Sequence, residues 1–313
     1  MSNPAIVAHP AARDYVMLVV LAAIWGASFM FQKIVLVTMP AFAMTIVRLS
    51  LAAVLMWGLS RVMGQRMPKG RRTWALIVLA SFLGNAVPFT LVSWGQERVD
   101  AGVAAVLMGV MPLATLLAAH VFTHDEKLGA RKLAGIGLGL LGLVILIGPA
   151  KLIALGDESV RQLSIATAAT SFGIASVVTR RLMGEQPLGL AAAMLIVAAV
   201  LVLPLYAFLD GPGDLKPSPT AMAAIAVLAI FQTGLGTLMM FSLVARQGAS
   251  FFSQINFLVP VSGVLWGALL LSEHVSLKEF AALAVILAGI AVARMRVAPV
   301  PGPATSPRSQ TDG

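Results

Sequence analysis

Uncharged polar side chains recur at helical spacing inside stretches that are otherwise apolar. Trp25, Ser28 and Gln32 stand at i, i+3 and i+7, and Ser81, Asn85 and Pro88 repeat that spacing. Farther along, Met108, Met111 and Thr115 flank Pro112, Gln232 precedes Gly236 by four residues, and Ser253, Asn256 and Pro260 form a last stripe. Such spacing puts each set on one helix face. Amides and hydroxyls facing hydrocarbon are costly, so these faces turn inward, either as hydrogen-bonding glue between helices or as the lining of a cavity. A lining of this kind recognises without adding net charge. Asn85, Gln232, Ser253 and Asn256 can meet the polar end of a zwitterion, with Ser28 beside them. Trp25, Phe89 and Trp94 offer apolar walls, and Met108 and Met239 adaptable ones. Pro88, Pro112 and Pro260 each remove a backbone hydrogen bond. They are candidate bends and hinges for gating.

Other chemistries find no footing. The chain has no cysteine, which removes disulfides, thiolate metal sites and cysteine nucleophiles together. Its serines and histidines form no nucleophile–base grouping, and no Walker lysine motif occurs. Gly137, Gly139 and Gly142 satisfy GxGxxG, but inside an apolar span with no preceding strand. Gly135 and Gly139 instead make a small-residue face for close packing, with a dimer contact as one outlet. No catalytic residue, cofactor or metal is therefore expected. The thirteen acidic residues lie in loops, tails or at helix ends, which favours facilitated diffusion or exchange over a proton relay. Arg48 is the one charge deep in a span. It can hold a substrate carboxylate, but snorkelling or bonding to neighbouring carbonyls is the favoured reading.

The elements that must position these residues are membrane helices. Of 313 residues 59% are hydrophobic and 11% charged, and the mean hydropathy is +0.92. Soluble domains carry about 25% charged residues. Apolar spans are expected over 15–37, 42–61, 74–94, 101–121, 132–149, 163–180, 188–209, 221–244, 250–271 and 278–296, each near the ~20 residues that cross a bilayer. The fold class is an all-α polytopic membrane protein of ten transmembrane helices. Arg13 before an apolar run could open a signal peptide, but the run continues to Val37 and reads as an uncleaved first helix. With both termini cytoplasmic, 15 of the 22 basic residues fall on the cytoplasmic side, six opposite, and Arg48 on neither. The basic loop 61–72 carries much of that bias. The net charge of +9 is explained by such loops, and no nucleic-acid partner is expected.

The chain also repeats itself. A shift of 147 residues lays Trp25-Gly26 on Phe172-Gly173, Lys33 on Arg180, Pro40 on Pro187, Glu126 on Glu273 and Gly142 on Gly289. A shift of 148 lays Arg98 on Arg246 and Pro112 on Pro260. A five-span unit repeated in tandem inserts its second copy upside down, around a site between the copies. The expected organisation is a cytoplasmic segment 1–14, a first repeat 15–149, a linker 150–162, a second repeat 163–296, and a disordered cytoplasmic tail 297–313.

These residues resemble the drug/metabolite transporter superfamily, in its ten-helix members with two EamA-type repeats. The carrying segments are Leu21 to Ser28, Arg48 to Ala53, Met111-Pro112 with Glu126 and Gly142, and Val259-Pro260 with Glu273 and Gly289. Within that superfamily the chain looks most like YddG-like amino-acid and metabolite exporters. Phe172 and Leu195 depart from the first copy's Trp25 and Arg48. The resemblance implies two inverted five-helix repeats around a central cavity and a place in the bacterial inner membrane. It implies export of small organic solutes, amino acids foremost, by alternating access. Drug or other metabolite efflux, even proton-coupled, and a non-transporting membrane protein remain alternatives. The partners are a small-molecule substrate and the lipid bilayer; monomer and homodimer both stay open. If this topology holds, probes attached at Arg71 and Arg181 are labelled from the same side of the membrane, and the cysteine-free background makes single-cysteine labelling the direct check.

Overall fold

A computed structural model of the chain describes residues 11–122, 129–149, 156–182, 184–211, 215–252 and 254–294. Among them the fold is entirely helical. In chain order the helices are α1 (Ala12–Leu36), α2 (Ala41–Val62), α3 (Arg71–Gln96), α4 (Ala101–Phe122) and α5 (Ala130–Ile147). They continue as α6 (Asp157–Leu182), α7 (Pro187–Asp210), α8 (Pro219–Met240, running on through Gly236–Phe252), α9 (Ile255–Leu270) and α10 (Leu277–Arg294). Eight of these, α1 to α8, are long and apolar enough to cross a membrane. α9 is apolar but has only 16 residues.

Two expected boundaries move, each for a visible reason. α6 begins at Asp157 rather than 163, because Asp157 and Glu158 suit the positive end of a helix dipole. α8 runs through Arg246 and Gln247 to Phe252, where a loop was expected. Both side chains bond to Asp14 at the start of α1, so they need no water-exposed turn. The expected N-terminal segment, the first part of the linker (150–155), the tail 297–313 and Glu126 lie largely or wholly outside the described residues.

The outer surface is apolar, as hydrocarbon requires: Val54 is 68% exposed and Leu269 72%. Inside, α1 packs on α8 and α9, while α6 packs on α3 and α4. α2 lies against α7, α4 against α9, and α5 against α10. Glycines permit the tightest crossings. A methyl group at Gly135 would lie 2.5 Å from the Gly289 carbonyl, and one at Gly142 3.0 Å from the Ala282 carbonyl. The face suspected of dimer contact therefore serves α5 and α10 within one chain. Gly135→Ala is expected to lower thermal stability in detergent by about 1–3 kcal/mol through overpacking. Gly137→Ala, with nothing within 4 Å of its new methyl, should change it little.

Candidate functional site

α3 widens into a π-helical turn at Phe82–Ala86, and α8 into a longer one at Leu228–Leu235. Such turns re-pair the backbone and often mark functional sites. Each turn's carbonyls receive a donor from another helix. Trp25 Nε1, from the middle of α1, donates to the Gln232 carbonyl at 3.2 Å. Ser171 Oγ, on α6, donates to the Leu83 carbonyl at 2.7 Å. Asn85 is half-buried in the first turn, and Gln232 lies at the corresponding place in the second.

Arg48 sits between Phe89 of α3 and Gln232 of α8. It is 2% exposed and does not snorkel: Nη2 donates across to the Gln232 side-chain oxygen Oε1. Its guanidinium lies over the Phe89 ring, 4.3 Å from the centroid, while Phe89 meets Phe172 edge-on at 5.9 Å. Trp25 in turn meets Phe252 edge-on at 6.0 Å. Trp25, Arg48, Phe89, Phe172 and Gln232 thus form one cluster, drawn from α1, α2, α3, α6 and α8. Arg48 Nε is buried without a hydrogen-bond partner.

The other candidates are dispersed. Ser28 is buried, its hydroxyl donating to the Trp25 carbonyl at 2.6 Å. Met239 packs against the same apolar cluster as Trp25, and Met108 against the core around α4, α9 and α10. Trp94 lies apart, with its carbonyl accepting from Arg161 Nη1 at 2.6 Å and its ring 3.9 Å below that guanidinium. Asn256 is half-buried in the first turn of α9. Ser253 lies outside the described residues. Pro88 starts the regular helix after the α3 π turn, Pro112 follows a break at Gly109–Val110, and Pro260 sits within α9; all three are buried. The polar stripes did not mark Phe172, or the buried Thr45–Ser93 pair at 3.0 Å. Thr45 and Arg48 share the i, i+3 spacing used elsewhere, which was the available signal.

Both ends of the bundle are tied by charge. At the end where α1 begins, buried Asp14 pairs with Arg246 at 3.2 Å and accepts from Gln247 Nε2 at 2.8 Å. At the opposite end, Arg161 pairs with Glu97 at 2.5 Å and Asp157 at 3.5 Å. Asp14 and Arg161 are themselves 147 residues apart, with the sign reversed. Two cavities lie away from the cluster. One, of about 230 Å³, is an apolar groove among Leu113, Leu117, Ile136, Leu140 and Ile174. The other, of about 310 Å³, is lined by Arg72, Thr73, Arg181 and Glu185.

An all-helical bundle with an apolar exterior and a buried polar centre is a membrane transporter's anatomy, and family comparison agrees. The EamA-like transporter family matches residues 13–148 and again 162–295. The chain belongs to that family. Among its relatives, an "Uncharacterized transporter" of Archaeoglobus fulgidus is 25% identical over 281 residues, covering 89% of this chain and 97% of that one. A "Probable amino-acid metabolite efflux pump" of Escherichia coli strain K12 is 24% identical over 290 residues, covering 89% and 93%. The "Uncharacterized inner membrane transporter YedA" of the same strain is 27% identical over 269 residues, covering 84% and 85%. A solved crystal structure shares the fold with a TM-score of 0.62 at 17% identity, over 91% of this chain and 98% of that one.

Within this EamA-family transporter, Trp25→Phe keeps a ring but leaves the Gln232 carbonyl without its cross-helix donor. The expected loss is about 1–3 kcal/mol, read as a lower melting temperature. Flux in reconstituted vesicles should fall with it.

Proposed function

We propose that the protein exports small organic solutes, amino acids foremost, by alternating access across the bacterial inner membrane. Two inverted five-helix repeats, residues 15–149 and 163–296, make ten spans, with both chain ends cytoplasmic. The observation that carries this reading is the buried cluster itself. Trp25, Arg48 and Phe89 come from the first repeat, Phe172 and Gln232 from the second, and the cluster stands between two charged closures.

Several features support the inversion. The family matches twice in tandem. Exchanging the halves turns α1 on α8 and α9 into α6 on α3 and α4, while α2–α7, α4–α9 and α5–α10 map onto themselves. The contact of Gly135 with Gly289 maps, at the 147-residue shift, onto that of Ala282 with Gly142. Odd-numbered tandem repeats stand antiparallel in a bilayer, and the excess of basic residues around loop 61–72 supports that side as cytoplasmic.

The amino-acid class is supported by the uncharged polar groups Asn85 and Gln232 beside aromatic walls, and by the name of the Escherichia coli relative. Acidic residues stand at helix ends and in loops rather than across the centre, which favours facilitated diffusion or exchange.

The test is counterflow in proteoliposomes preloaded with unlabelled amino acids. Labelled substrate should enter saturably, faster into loaded vesicles, with no uphill accumulation when a pH gradient alone is imposed. Asn85→Ala and Asn256→Ala are each expected to slow flux about tenfold, the equivalent of one lost polar contact of ~1.4 kcal/mol, with protein yield unchanged. Accumulation driven by the pH gradient would overturn the facilitator mechanism; unchanged flux in both variants would remove those residues from the pathway.

A further inference from the structure

We propose that Arg48 anchors the anionic group of the transported solute, and that Gln232 Oε1 holds the position the carboxylate takes over. This rests on the transporter reading above and narrows its cargo to solutes bearing one carboxylate.

Arg48 stays protonated under any working condition. It is 2% exposed, and its polar partner is a neutral amide. No described carboxylate pairs with it, and no acidic residue lies within α2 at all. A buried cation without a counter-charge is strongly disfavoured, inside membranes most of all. Arginines kept only for packing normally snorkel or saturate their donors on carbonyls. Arg48 does neither, since it reaches inward to α8 and leaves Nε buried and unpaired.

The geometry specifies the missing partner. Phe89 covers one face of the guanidinium, so ligands approach its edges. Nε and Nη2 form one of those edges, and this edge matches the two oxygens of a carboxylate. Nη2 is occupied by the Gln232 amide oxygen and Nε by nothing. A carboxylate brings an opposite charge and two oxygens that fit this edge together, where the amide offers one neutral oxygen, so a carboxylate displaces Oε1. Trp25 holds the Gln232 backbone carbonyl. The side chain can therefore swing aside without moving α8.

One cation accommodates one anionic group. Leu195 stands where the second repeat would place an equivalent arginine, so the anionic end of the solute points to the first repeat. Phe89, Phe172 and Trp25 leave apolar surroundings for the rest of the solute.

The decisive variant is Gln232→Glu, which gives Arg48 a permanent internal carboxylate. Purified wild type and variant are compared by thermal shift and vesicle flux. The probes are leucine, methionine and phenylalanine, the matched acids lacking the amine, and the matched primary amides lacking the carboxylate. Wild type should respond to both carboxylate series and not to the amides. Gln232→Glu should melt no earlier than wild type without ligand, yet bind carboxylates on the order of tenfold or more weakly. Gln232→Leu, which removes the stand-in, should keep the carboxylate response. Arg48→Gln, where it folds, should lose the preference for acids over amides.

If Gln232→Glu responds as wild type does, or the amides serve as well as the acids, the anchor is wrong while transport stands. If the acids lacking the amine respond and the amino acids do not, the amino-acid reading fails and the anchor stands. If no carboxylate registers with wild type, both fall.

Discussion

Hydrocarbon offers no hydrogen bonds, so every polar group taken into a bilayer must find its partner in the protein. For most of the backbone the helix itself answers. Several exceptions are instructive, because a segment distant in the chain answers. The Gln232 and Leu83 carbonyls, in two of the three described π turns, receive Trp25 and Ser171. At helix starts, Ala43 N–H donates to Asp210, Ala101 and Gly102 N–H to Glu273, and Leu188 N–H to Gln65. Each bond joins segments far apart in sequence. The demand that satisfies the backbone therefore also locks the two halves of the chain together.

Small residues set the orientation of the aromatic cluster. Gly26 follows Trp25, and a methyl there would lie 1.8 Å from Ser262 Oγ of α9. Gly173 follows Phe172, and a methyl there would lie 2.8 Å from the Thr115 backbone nitrogen of α4. Consecutive helical residues point about 100° apart. Pressing the glycine face of α1 onto α9 leaves Trp25 directed at α8, and pressing that of α6 onto α4 leaves Phe172 directed at Phe89. Helix approach and site geometry are thus one specification, written as an aromatic–glycine pair in each half.

Much of this was legible in sequence, because composition and span length follow directly from the bilayer's thickness and polarity. Trp25, Asn85 and Gln232 were marked as candidates by helical spacing, and Phe89 as an apolar wall. Arg48 was noted as the one charge deep in a span but read as snorkelling or bonding to neighbouring carbonyls. A span sequence does not reveal whether a long cation reaches back along its own helix or across to another. The answer depends on Gln232, 184 residues away. Trp94 illustrates the converse: an aromatic near Phe89 in sequence, it lies with Arg161 because five helical residues carry it about 7.5 Å along the axis. Helix ends were misplaced where polar residues found protein partners instead of water, as Arg246 and Gln247 did on Asp14.

The charged ties at the two ends suit the alternating cycle proposed above. Asp14 is 1% exposed and Arg246 32%, and at the other end Arg161 is 14% and Glu97 33% exposed. One partner of each pair already touches the surroundings. A fully buried pair would cost several kcal/mol to separate, because parted charges would remain in a poor solvent. A pair with one partner already at the surface gains hydration on opening, which lowers that cost. The ties therefore close the ends without locking them. The centre behaves differently, since Arg48 cannot reach water without leaving its helix face. In the proposed cycle the ends are the soft elements, and the buried guanidinium is the fixed point about which they alternate.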